Sequence, residues 1–251
     1  MLEKEWDKLA EEKRYFKEVI SPFAEKASAK ILHDKIKKFA GREKSAIDLG
    51  TGLGKLLPFL SKNFKLVKAV DYSQKMIDFA ERANKKLKNV SFEKMDMRKM
   101  PYRNLFDAAV AVNSVIASSV KEADRIIKNI HSLLKKGGVL VGIFPSLESI
   151  LYCAMLVYEK QLKSHPLKIA RDRTVNIIES WDYDFLLGFL NEKGGKQKHF
   201  YEFELEYRLK KSGFKKIEIE KIHYPWKVLE DKDRNFPGKE PVWDWLVVAR
   251  R

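Results

Sequence analysis

The sequence predicts an α/β fold, a mostly parallel sheet with helices on both faces and an inserted cap. Three observations predict it. From Ser45 onward, short runs rich in Val, Ile, Ala and Leu alternate with amphipathic stretches, the rhythm of strands covered by helices. The first two runs, "AIDLGTGLG" and "AVDYSQKMIDFA", each place an acid near the strand end, and three glycines follow the first acid. Between Ser146 and Tyr201 the rhythm stops, then resumes.

Composition sets the outer limits. A chain of 251 residues with 45% hydrophobic content is long enough for one buried core carrying an inserted subdomain, but not for two full domains. The N-terminal stretch is charged from its third residue, unlike a signal peptide, and no run approaches the length of a membrane span. The single cysteine, Cys153, lies in apolar "SILYCAMLV" and reads as a small buried hydrophobe. These features lead us to expect a cytoplasmic protein with no membrane partner. The net charge of +15 comes mostly from lysine interleaved with glutamate, as in "ERANKKLKNV". A solvated surface is the ordinary reading of such a pattern, and attraction to a polyanion such as nucleic acid is the other.

The elements follow in order. Apolar residues at helical spacing over residues 3–40 predict two helices with a break near Ser21-Pro22, and Gly41 ends the second. Five strands are expected at "SAIDLG", "LVKAVD", "NVSFEKMD", "FDAAVAVN" and "GGVLVGIFP". Between them lie "LGKLLPFLSKNF", "SQKMIDFAERANKKL", a short piece around "MRKMPYRN", and "EADRIIKNIHSLLKKGG". Then comes an apolar segment, "LESILYCAMLVYEKQL", and a hairpin whose turn is expected at Gly194-Gly195. The chain closes with a helix stopped by Gly213, an alternating strand "KKIEIEKIHYP" and a last strand "VWDWLVVARR". The expected organisation is N-terminal helices over the site (1–40), a core (41–145 and 201–251) and a substrate cap (146–200).

In an open parallel sheet, ligands bind beyond the carboxyl ends of the strands. The glycines of "DLGTGLG" let the chain turn sharply and bring bare backbone near a ligand, because glycine tolerates positive φ and has no Cβ. Asp71, ending the second strand, is placed to accept hydrogen bonds from a ribose diol. Together these features indicate an adenosine-containing cofactor. A dinucleotide site needs glycine at the first, third and sixth turn positions, but Lys55 stands sixth here, and Asp48 would repel a pyrophosphate. A ligand carrying positive charge at that end explains Asp48 better, as the ammonium and sulfonium of S-adenosylmethionine would.

The chain resembles the class I S-adenosylmethionine-dependent methyltransferases. "AIDLGTGLGKLLPFL" is similar to their first motif and "AVDYSQKMIDFA" to their second; "VSFEKMDMRKMPY" and "FDAAVAVNSVIAS" are similar to the third and fourth. "HSLLKKGGVLVGIFP" resembles the helix, turn and strand that follow, and the final two strands resemble the closing antiparallel pair. The resemblance implies a Rossmann-like seven-stranded, mostly parallel sheet with an antiparallel last strand. It implies S-adenosylmethionine as cofactor and S-adenosylhomocysteine as product. By position, Asp48 with Gly50, Thr51, Gly52 and Gly54 would hold the methionine moiety, and Asp71 the ribose. Tyr72 and Met76 would pack on adenine, Asp96 would face its amino group and Met97 its ring, and Asn113 would line the methionine end. For Met76 and Met97, ordinary core packing is the competing reading.

The resemblance has one gap. The chain reads "AVNSVIASS" where many nucleic-acid amino methyltransferases carry an Asn/Asp-Pro-Pro-aromatic run, so the aromatic clamp of base N-methylation is missing. A cap suits a small or medium-sized acceptor, since a polymer needs an open groove. Candidate substrate-side residues are Tyr15, Phe144, Tyr152, Trp181, Tyr183, His199 and Tyr201. General-base candidates are Glu148, His165, Asp184 and His199. RNA (tRNA or rRNA) or protein methylation is the alternative, with nucleic acid as a partner drawn by the basic charge. A non-catalytic cofactor-binding regulator is the second alternative. The five histidines are scattered, so no metal site is expected, and the sequence sets neither a catalytic residue nor an oligomeric state.

Overall fold

The structure is a computed structural model that describes residues 4, 7–8, 26–192, 195–226 and 236–251. The expected break at Ser21-Pro22, and Tyr15 with it, lie outside the described residues. Helix α1 (Lys26–Lys37) leads into β1 (Gly41–Leu49), so the strand takes in Gly41 and begins earlier than expected. Alternation then runs as expected: α2 (Leu57–Asn63), β2 (Phe64–Asp71), α3 (Gln74–Ala83), β3 (Val90–Lys94), a 3₁₀ turn (Met97–Lys99), β4 (Phe106–Val112), α4 (Val120–Leu133) and β5 (Leu134–Phe144). Serine side chains set three helix starts by accepting from a backbone N–H three residues on: Ser73 from Met76, Ser119 from Glu122 and Ser146 from Ser149.

Seven strands form one sheet in the order β3-β2-β1-β4-β5-β10-β9, where β9 is Lys215–Tyr224 and β10 is Val242–Arg250. Strands β3, β2, β1, β4 and β5 pair in parallel, while β10 runs antiparallel to both β5 and β9. This is the Rossmann-like seven-stranded sheet with its antiparallel last strand. The apolar runs are near-continuous because both faces are covered: Ala46, Ala108 and Val110 pack with α1 and α2, while Ile47, Leu49, Ala109 and Ala111 pack with α4. Strand order reverses between β1 and β4, which opens a crevice at the carboxyl edge there.

The departure from the alternating pattern holds α5 (Leu147–Leu162), α6 (Leu167–Glu179) and a small antiparallel sheet of β6 (Tyr183–Asp184), β7 (Phe189–Glu192) and β8 (Gly195–Lys198). Helix α7 (Glu202–Lys211) follows. The expected hairpin forms, with one correction: Glu192 pairs with Gly195, so Gly195 is the first residue of the returning strand. The insertion leaves and returns at one point of the main sheet, because Phe200 N donates to Pro145 O (2.8 Å) and Leu147 N to Phe200 O (3.0 Å). Lys198, its side chain fully buried, donates to Glu204 on α7 (2.7 Å) and ties the small sheet to that helix. Cys153 is buried on α5, as its apolar neighbours predict.

Candidate cofactor site at the carboxyl edge of the sheet

The turn after β1 is built around its glycines. Gly50, Gly52 and Gly54 all adopt positive φ, at 69°, 52° and 74°. A Cβ on Gly50 would stand 2.4 Å from Ser114 Cβ, and one on Gly54 2.6 Å from Asn84 Nδ2. Gly50 and Thr51 N–H both donate to Val70 O, which presses the turn against the end of β2.

Two acids flank this turn. Asp48 is only 4% exposed and accepts a hydrogen bond from Thr51 Oγ1 (2.6 Å). Burial pushes its carboxyl up to about 7; the Thr51 bond opposes the shift and the Asp71 charge adds to it. Asp71 is held ready: Gly52 N donates to Oδ2 (2.9 Å) and Ser73 N to Oδ1 (3.0 Å), leaving each oxygen further acceptor capacity. Its pKa is raised by burial against those backbone bonds, and the Asp7 charge adds to the rise. Asp7 accepts from the Ser73 hydroxyl, which brings the N-terminal segment to this acid.

Beyond Asp71, two of the expected adenine residues, Tyr72 and Asp96, meet around a residue the sequence reading missed. Asp96 accepts from Arg98 N (2.8 Å) and from Arg98 Nε through both oxygens (2.9 and 3.0 Å). Burial raises the Asp96 pKa, but the Arg98 bonds and charge overcome it and hold the carboxyl low. Asp96 is thus committed to Arg98, whose guanidinium also lies 5.4 Å from the centre of the Tyr72 ring. Met76 is a core residue, 1% exposed. Met97 is partly buried against the core, with its carbonyl bonded to Asn129.

Asn113, in a left-handed conformation (φ 47°), donates from Nδ2 to Asp244 Oδ2 at 3.0 Å. Asparagine tolerates this backbone better than most residues. Asp244 also accepts from Ser146 N (3.2 Å), and burial pushes its pKa up to about 6 against the Asn113, Ser146 and Tyr224 bonds. It was not among the expected site residues. An acid between two tryptophans in an otherwise apolar strand was the available signal, the same one that singled out Asp71.

The expected substrate-side residues scatter. Phe144 is wholly buried edge-to-face on Phe200 and so belongs to the core, because its place in a central strand points it at α4's side of the sheet. Tyr152 packs against Trp226 and Trp243, and Trp181 against the core on the α1 side. Tyr183 and His199 do meet, edge-to-face at 5.3 Å. Tyr201 donates to Phe185 O (2.7 Å). Of the general-base candidates, Glu148 accepts from Glu202 N and Asp184 from Leu187 N, both local chain-fastening bonds. His165 sits between α5 and α6. His199 is kept neutral, its pKa pushed down to about 4 by burial and the Lys198 charge against a Ser146 backbone bond. Among the described residues there is no cluster of three or more His, Cys, Asp or Glu that could hold a metal. No described helix is long and apolar enough to cross a membrane.

The sheet order, the glycine turn and the two acids at the strand ends define the class I S-adenosylmethionine-dependent methyltransferase fold. Solved structures share it. A Mesorhizobium loti S-adenosylmethionine-dependent methyltransferase is 19% identical, with 91% of this chain and 99% of that one covered and a TM-score of 0.61. A chain from the Haloferax volcanii complex between the Trm112 methyltransferase activator and a methyltransferase is 14% identical (98% and 97% covered, TM-score 0.61). The N-methyltransferase NodS from Bradyrhizobium japonicum, crystallised with S-adenosylhomocysteine, is 13% identical (88% and 86% covered, TM-score 0.57). No curated protein matches the chain in sequence. Residues 46–138 match the family model of a methyltransferase domain.

Proposed function

We propose that the protein methylates a small or medium-sized acceptor enclosed between the carboxyl edge of the sheet and the insertion at residues 146–200, with the N-terminal helices of residues 1–40 as a further cover. The observation that carries this reading is the anchoring of the insertion: it starts and ends at Pro145–Phe200, beside the end of β5, so its small sheet stands next to the place where an acceptor must meet the cofactor.

The residues at the edge fit the cofactor. Asp48 is a buried acid with no cationic partner among the described residues, a costly arrangement that the ammonium of a methionine moiety would relieve. Gly50 and Gly54 leave no room for a Cβ beside Ser114 and Asn84, so the turn presents close-packed bare backbone. Asp71 would take the ribose hydroxyls on its remaining acceptor positions, and Tyr72, with Arg98 behind it, would offer a face to adenine. Asp96 would reach an adenine amino group only by sharing its Arg98 bonds. When bound, S-adenosylmethionine supplies a methyl group activated on a sulfonium. The protein's own part is to orient both reactants and exclude water, and a base is needed only for a protonated nucleophile.

One observation favours RNA as the second reading. The basic side chains Lys160, Lys163, Lys168, Arg171 and Arg173 on α5, α6 and their connection are all exposed. Incubation with methyl-labelled S-adenosylmethionine and separate pools of metabolites and RNA tests both readings. Label in the small-molecule fraction supports the first. Label in RNA, with RNA affinity falling steeply as salt rises, overturns it in favour of the second. Cofactor binding without turnover in any pool would indicate a regulator.

A further inference from the structure

Three buried side-chain atoms among the described residues lack a hydrogen-bond partner: Ser114 Oγ, His199 Nδ1 and Trp243 Nε1. All three belong to residues at the carboxyl edge, after β4, before α7 and at the start of β10. A buried polar atom left unpaired costs about 1–3 kcal/mol, so a cluster of them at one edge calls for a ligand or a function.

Asp244 is the charged member of this edge. It stays partly exposed, whereas Tyr224 beside it is only 2% exposed. Tyr224 Oη is turned toward Asp244 and Asn113, which share its hydrogen bonding. Asn113 links the group to the cofactor turn: its chain neighbour Ser114 is the side chain against which Gly50 is packed. A carboxylate, an amide and a buried phenol therefore stand one residue beyond the glycine cradle, on the insertion's side.

We propose that Asp244, with Tyr224, is the acceptor-binding pair, and that the methyl acceptor is a nitrogen or oxygen atom carrying a hydrogen that it donates to the Asp244 carboxylate. This rests on the cofactor placement proposed above. Asp244 takes the N–H or O–H hydrogen bond, which turns the acceptor lone pair away from the acid and toward the cofactor turn. The Tyr224 hydroxyl supplies a second bond to the same group. Acceptors without such a hydrogen, such as carbon or thioether nucleophiles, leave the carboxylate facing them unpaired and are rejected.

The test uses the full chain saturated with S-adenosylhomocysteine and measures binding, by ligand-observed NMR, of methylammonium, imidazole and phenol. Their controls are tetramethylammonium, N-methylimidazole and anisole, each lacking the donor hydrogen. The wild type is expected to bind at least one of the three probes at least about tenfold tighter than its control, and the successful probe separates a nitrogen from an oxygen acceptor. D244N should lose that preference while keeping its S-adenosylhomocysteine affinity. Y224F should weaken the same probe while melting no lower than the wild type, an outcome that a purely structural role for the hydroxyl would not produce. Equal binding of probes and controls by the wild type, or an unchanged preference in D244N and Y224F, overturns the proposal. Failure of the wild type to bind S-adenosylhomocysteine would instead overturn the cofactor placement.

Discussion

Asp48→Asn tests the cofactor cradle through two effects that point in opposite directions. In the ligand-free fold the carboxyl is raised from its ordinary 3.8 to about 7, chiefly by burial. That interval corresponds to on the order of 4 kcal/mol between the charged and neutral forms. The folded state holds the proton more tightly than the unfolded chain does, so the associated stability is fully present below about pH 4 and lost as pH rises through about 7. Asparagine keeps an oxygen to accept the Thr51 hydroxyl and carries no charge. The ligand-free variant should therefore match the wild type near pH 4 and exceed it by up to about 4 kcal/mol near pH 8 in urea unfolding. Its affinity for S-adenosylhomocysteine should fall at least about tenfold by calorimetry, because the ammonium loses its counter-charge. A pH-independent change in stability, or an unchanged affinity, would refute the reasoning.

Three further outcomes follow from other contacts. Asp71→Ala removes a carboxylate already oriented by Gly52 and Ser73 N–H, and should weaken S-adenosylhomocysteine binding at least about tenfold, or on the order of 1.4 kcal/mol by calorimetric titration. Gly50→Ala puts a Cβ against Ser114 at a positive φ and should cost at least about 2 kcal/mol of stability in denaturant unfolding; a smaller loss would mean that the turn can shift. Glu204→Gln leaves the buried Lys198 ammonium with the His199 carbonyl as its main remaining partner and should cost roughly 3–5 kcal/mol, more than the exposed pair Lys210–Glu206 could lose by the same change.

The parallel half of the fold was legible because each strand there is buried on both faces and each covering helix has one apolar side. The alternation of "AIDLG" with "LLPFL" and of "AVAVN" with "EADRIIKNI" reports that directly. The insertion was legible as an interruption holding an apolar segment and a hairpin, but its attachment to the core was not. Its small sheet is held by tertiary bonds such as Lys198–Glu204 and Tyr201–Phe185, which leave no periodic trace. Glycine spacing and strand-end acids marked Asp48 and Asp71 because those features are local. The role of Arg98 escaped notice because it depends on a side chain folding back over Tyr72 and onto Asp96, and "MDMRKM" reads as an ordinary turn. Phe144, a candidate for the substrate side, is the last residue of β5. The next residues continue the edge, and Phe144 turns inward.

Asp244 is instructive because the argument that found Asp71 applies to it without change. Both are acids in apolar strands of one sheet, yet one stands at the end of its strand and the other near the beginning. Ligands gather at the carboxyl ends of parallel strands, so only a late acid looks placed for binding. Strand β10 runs against its neighbours, and its first residues lie beside the last residues of β5: Trp245 pairs with Phe144, and Asp244 receives the N–H of Ser146. The reversed strand thus extends the polar edge of the sheet past its parallel half, from Asp71 and Asp48 through Asn113 to Asp244 and Tyr224. An early acid in an antiparallel strand carries the same meaning as a late acid in a parallel one. Reading it so requires the strand's direction, which the sequence supplies only through its place in the fold.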